Sequence, residues 1–170
     1  MSVSRKIKFG MIEALDSQSQ GRLFKAFQNI ARIYHRGGFR IRYVLMDGQF
    51  DCLEGDMASV QVLLNKTARD EHVGDIERYI RTIKERMRCS HNTLPFKQIP
   101  NRMVIENAKH AVFRLHAFPA ADGISDTLSP RTIVTGQTIS HERHCQYQFG
   151  EYVQTHEEHD NTMATRLLGR

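Results

Sequence analysis

The chain has 170 residues, of which 40% are hydrophobic and 25% charged, a composition that excludes intrinsic disorder and fits one domain able to bury a core without staples. Its formal net charge of +5 leans toward an anionic partner without specifying one. No apolar run reaches the roughly 20 residues needed to span a bilayer and no secretion signal opens the chain, while Cys52, Cys89 and Cys145 are odd in number and scattered, which suits a reducing intracellular compartment.

In chain order, residues 6–15 (KIKFGMIEAL) alternate weakly and read as a strand entering a turn at Asp16. Residues 17–20 (SQSQ) offer a capping box with Ser17 as N-cap and Gln20 three residues on. Leu23, Phe24, Phe27, Ile30, Ala31 and Tyr34 then recur at helical spacing until Gly37-Gly38 stops the helix. Residues 39–46 (FRIRYVLM) alternate as a strand that runs into Asp47-Gly48, and 60–65 (VQVLLN) read as a further short strand.

From about Asp75 a helix follows, with Ile76, Ile80, Ile83 and Met87 on its buried face. Glu77, Arg81, Lys84 and Arg88 fall at i, i+4, i+7 and i+11, a narrow stripe on one side. A second helix covers about 101–116, residues 118–126 read as a loop, and 129–136 read as a short helix capped by Ser129, opened by Pro130 and closed by Gly136. A strand is expected within 147–156. The order strand–helix–strand–strand–helix–helix is an α/β pattern with helices covering a sheet.

Each candidate site has a plain structural reading beside the functional one. Asp47 lies at the carboxyl end of a strand, where α/β folds place functional groups, but Asp-Gly is also common turn chemistry. Glu77 opens a helix, where an acid complements the dipole, and the Arg81, Lys84 and Arg88 stripe suits a solvated face. Together, two carboxylates arriving from a strand end and a helix start are able to converge on Mg²⁺ or Mn²⁺, and cations behind Glu77 are able to hold nucleic-acid phosphates. His141, His144, His156 and His159 cluster late with Cys145, but they lack the spacing of a structural zinc site or a zinc protease, so a polar surface is the default. Neither a Gly-rich phosphate loop nor a Gly-x-Ser-x-Gly elbow is present, so nucleotide hydrolysis and α/β-hydrolase chemistry lack support.

The segments VLMDGQF (44–50) and DEHVGDIERYIRTIKER (70–86), with LSPRTIVTGQ (128–137) and FGEYVQTHEE (149–158) after them, resemble the integrase core of copia-type LTR retrotransposon polyproteins. The resemblance runs from about Lys6 to Glu158 and is strongest over 70–88. It implies an RNase H-like mixed sheet flanked by helices, with a core-like domain over 1–120 and a post-core segment over 121–170. The implied activity is a metal-dependent polynucleotidyl transferase acting in DNA integration, with Mg²⁺ or Mn²⁺ as cofactor, DNA and a second copy of the chain as partners, no membrane, and a nuclear or cytoplasmic setting. By position Asp47 matches the second catalytic Asp and Glu77 the catalytic Glu, both as metal ligands, while Arg78, Arg81, Lys84 and Arg88 lie on the DNA-facing helix.

Two departures accompany it. Only 29 residues separate Asp47 from Glu77, fewer than is typical. The family's first strand, with the first catalytic Asp, has no counterpart here, and neither Glu13 nor Asp16 substitutes for it by position. The expectation is therefore a core that is weak or inactive on its own, and the alternative is a non-enzymatic nucleic-acid-binding relic or repurposed domain.

Overall fold

The computed structural model describes residues 1–66 and 74–153. It opens with an antiparallel pair, β1 (Ser2–Val3) and β2 (Gly10–Met11), in which Ser2 faces Met11 and Val3 faces Gly10. Of the strand expected over 6–15 only Gly10–Met11 forms; Lys6 and Ile7 lie in a turn, and 8–9 and 12–15 are irregular. Lys8 adopts a left-handed φ of 61°, which reverses the chain, and only two residues of the stretch pair.

Helix α1 (Gln20–Arg36) follows as expected, but its N-cap is Ser19 and not Ser17, and no side-chain cap bond forms. The Gln20 side chain does not close a capping box; its Nε2 donates to Asp56 Oδ2 at 3.0 Å, a tertiary bond that a local pattern does not reveal. The apolar stripe behaves as its spacing requires: Phe27, Ala31 and Tyr34 are buried, and Gly37 caps the end.

A second pair is parallel: β3 (Tyr43–Met46) lies beside β4 (Leu63–Lys66), in register from Tyr43–Leu63 to Met46–Lys66. Parallel neighbours need a crossover, supplied by a 3₁₀ turn over Gly48–Leu53 and helix α2 (Glu54–Ser59). Leu53 and Met57 of that crossover are fully buried, and the sequence reading missed this element because six residues show too little periodicity.

Two long helices come next, α3 (Gly74–Asn92) and α4 (Asn101–Leu115), then α5 (Pro130–Thr135) and α6 (His141–His144). Around α5 the expected signals are all in place: the Thr132 N–H donates to Ser129 Oγ at 3.1 Å, Pro130 opens the helix, and Gly136 closes it at φ +69°. The strand expected over 147–156 does not form in its described part, 147–153, and the remainder lies outside the described residues.

The expected single sheet is, among the described residues, two separate two-stranded sheets. The fold is α/β in content, with three apolar clusters. Phe27, Ala31, Leu53, Met57 and Val62 join the first half of α1 to β3, β4 and the crossover. Phe9, Met11, Tyr34 and Val134 join its second half to the β1–β2 pair and α5. Ile83, Ala111 and Val112 join α3 to α4, with Ile12 and Tyr79 packed on them. Ile41 packs against the first two clusters and links them.

Candidate nucleic-acid interface

Helix α3 is fixed from two sides. Ile83 is buried against Ala111 and Val112 of α4, and Asn107 Nδ2 donates to the Met87 carbonyl at 3.2 Å, tying the two helices where the apolar contact ends. On its other flank Tyr79 lies over β2, where the Gly10 backbone comes so close that any β-carbon at Gly10 would run into the Tyr79 ring. Burial pushes the Tyr79 hydroxyl pKa up to about 12, so it stays protonated. The packed face therefore includes Tyr79 besides the isoleucines; at i+3 from Ile76 and i−4 from Ile83 it falls on the same helical period, though the sequence reading left it out.

Opposite that face lie the residues singled out by sequence. Glu77, Arg78, Arg81, Lys84 and Arg88 are all solvent-exposed, and Arg81, Lys84 and Arg88 enter no ion pair among the described residues. A rise of about 1.5 Å per residue strings Arg78 to Arg88 along about 15 Å of helix. Long exposed cations on a rigid rod are a geometry for phosphate contact, because each charge keeps its hydration until a phosphate replaces it.

Asp47 sits elsewhere in the packing. It follows β3 in extended backbone (φ −70°, ψ 159°) and precedes the 3₁₀ turn, its side chain exposed and making no cap bond. The strand that ends at Asp47 is held by β4 and the first cluster, whereas α3 and Glu77 are held by α4 and the β1–β2 pair. Both groups are in the local settings expected, a strand end and a first helical turn, but on separately anchored elements.

Among the described residues no three His, Cys, Asp or Glu side chains come together as a set able to hold a metal ion. Nor do His141, His144 and Cys145 assemble a zinc site: both imidazoles are exposed on the single turn of α6, and His144 Nδ1 lies 2.9 Å from the Ser140 carbonyl oxygen. His156 and His159 lie outside the described residues.

Burial and the Arg114 charge lower the pKa of His110, but the more strongly perturbed histidine is His116, which the sequence reading placed only as a helix end. It is 5% exposed, its ring 4.7 Å from that of Phe9, and its carbonyl accepts from the Arg131 N–H at 3.1 Å. Burial, reinforced by the Arg131 charge, lowers its pKa to about 4, so the ring is neutral at pH 7. Phe113 lies beside it, with the Arg131 guanidinium 5.1 Å over the Phe113 ring. This is core chemistry and involves no solvent-facing ligand.

Among the described residues no helix is long and apolar enough to cross a membrane. Compared with protein-family models, characterised proteins and solved structures, the chain matches none.

Proposed function

We propose that the chain is an integrase-core-like DNA-binding domain of RNase H-like type, whose own polynucleotidyl transferase activity is weak or absent. The observation that carries the reading is helix α3, with Glu77 in its first turn and Arg78, Arg81, Lys84 and Arg88 exposed on the side away from its packed face. The order of elements supports it: an antiparallel pair, a helix, and a parallel pair joined by a crossover precede α3. The partner is the DNA backbone, recognised through its phosphates, in a nuclear or cytoplasmic setting where a second copy of the chain takes part.

Asp47 and Glu77 are the residues that would contribute oxygen ligands to Mg²⁺ or Mn²⁺, whose chemistry is the activation of a phosphoryl centre. On this reading binding and strand transfer separate, and binding is the activity that remains. The second reading is a nucleic-acid-binding domain repurposed from such a core.

Anisotropy of a labelled DNA duplex between 50 and 200 mM KCl tests the reading. Arg81→Ala with Lys84→Ala should weaken binding and reduce the slope of log affinity against log salt by about 1.8, about 0.9 for each lost phosphate contact. Asp47→Asn and Glu77→Gln should leave folding and binding intact. Absence of salt-sensitive binding by the wild-type chain sinks the whole reading. Robust Mg²⁺-dependent strand transfer that Glu77→Gln abolishes sinks its inactive part.

A further inference from the structure

The turn between β1 and β2 reads Ser4-Arg5-Lys6-Ile7-Lys8, three cations in five residues with no acid. It is held in one shape: the Ser4 N–H donates to the Phe9 carbonyl at 3.0 Å, the Lys8 N–H to the Ser4 carbonyl at 2.9 Å, and the Ile7 N–H to Ser4 Oγ at 3.3 Å. Arg5 Nε then donates to Asp75 Oδ2 at 3.4 Å, setting the turn against the first turn of α3. Arg5 and Lys6 are exposed and Lys8 is half-buried.

Charge accounting shows how unevenly the cations are spread. Helix α3 carries five Lys or Arg against three carboxylates, and the turn adds three cations. The two elements together hold eight of the chain's 24 cations and three of its 19 carboxylates, a surplus of five equal to the net charge of the entire chain. Everything outside them balances to zero. Lys8 adds a second peculiarity, because its φ of 61° is a conformation that glycine adopts without cost and a side chain does not. A lysine kept in a glycine position retains charge at the expense of backbone ease.

We infer that the Arg5–Lys8 turn is a second phosphate-contacting element, which stands beside the first turn of α3 and binds the nucleic-acid backbone together with the exposed cations of that helix. The inference rests on the DNA-binding reading and extends it to a surface outside α3. The two elements meet through the Arg5–Asp75 pair and through Tyr79 lying over Gly10.

The test uses the full chain, a labelled DNA duplex and three double variants: Lys6→Ala/Lys8→Gly in the turn, Arg81→Ala/Lys84→Ala in α3, and Arg22→Ala/Lys25→Ala on α1 as an equal charge change elsewhere. Lys8→Gly removes the left-handed strain, so the turn variant should be at least as stable as wild type by thermal melting, and lost binding then has no folding explanation. One phosphate contact accounts for a factor of about 3.5 in affinity across a fourfold salt change, so losing two should shrink the fall between 50 and 200 mM by about tenfold.

The expected result is that shrinkage in the turn and α3 variants, with the α1 variant close to wild type. Wild-type behaviour of the turn variant beside a weakened α3 variant overturns the inference and leaves the α3 reading standing. Equal losses in the turn and α1 variants also overturn it, since net charge alone would then explain them. If wild type itself binds without salt dependence, the DNA reading fails and takes this inference with it.

Discussion

The two sheets of this protein are equally narrow and differently served. The β1–β2 pair is enclosed: Phe9, Gly10 and Met11 are buried, α1 reaches it through the Tyr34 hydroxyl, which donates to the Phe9 carbonyl at 3.0 Å, and α3 covers it through Tyr79. The β3–β4 pair is covered on one face. Val44 and Met46 pack toward α1 and the crossover, while Tyr43 is 71% and Leu63 61% exposed on the alternate positions. Parallel strands are ordinarily buried on both faces, and a two-stranded sheet alone is marginal, so the second pair depends heavily on its single packed face. Asp47 belongs to this half-covered unit and α3 to the enclosed one, so the two residues are held by different packing contacts.

The comparison can be broken at the face that carries the load. Met57→Ala, in the crossover beneath β3–β4, should cost about 2–5 kcal/mol in denaturant unfolding, because it opens a cavity in a fully buried position. Leu63→Ala, on the open face of the same sheet, should stay within about 0.5 kcal/mol. If both cost the same, the open face is covered in solution.

The enclosed unit carries a pH dependence through His116. His116 has a folded pKa near 4 against an ordinary 6.5, so between those values the unfolded chain binds a proton that the folded chain refuses. Its contribution is complete above pH 6.5 and is lost as pH falls toward 4, by up to about 3 kcal/mol. Urea midpoints at pH 7.5 and 4.5 should therefore differ more for wild type than for His116→Phe. An unchanged difference would assign the acid sensitivity to other groups.

A smaller effect than at His116 is expected at α5, which carries Val134 into the cluster beneath β1–β2. Ser129→Ala removes the side-chain bond to the Thr132 N–H and should lower stability by about 1 kcal/mol, while Ser129→Asp should retain most of it. A larger loss would mean that the buried Ser129 is needed for packing and not as a cap.

Local rules carried much of the fold. Helices α1, α3, α4 and α5 were legible because an amphipathic period, a proline at a first turn or a glycine at a C-cap acts within a few residues. The α3 stripe was legible for the same reason, since positions four and seven residues apart share a helix face whatever lies around them. What failed had non-local causes. The Ser17 capping box lost Gln20 to Asp56, and the strand over 6–15 shrank to Gly10–Met11 beside the chain reversal at Lys8. The crossover after Asp47 was too short to show a period.

By itself, then, the sequence determined helices α1, α3, α4 and α5, the surplus of positive charge and the exposed face of α3, because periodicity and charge are properties of neighbours along the chain. Tertiary structure decided that the strands form two sheets, that Asp47 and Glu77 ride on separately anchored units, and that the Arg5–Lys8 turn stands against α3. Those outcomes depend on which buried surfaces meet, and contacts such as Arg5–Asp75 or Tyr79 over Gly10 join residues some 70 positions apart, where no local pattern reaches.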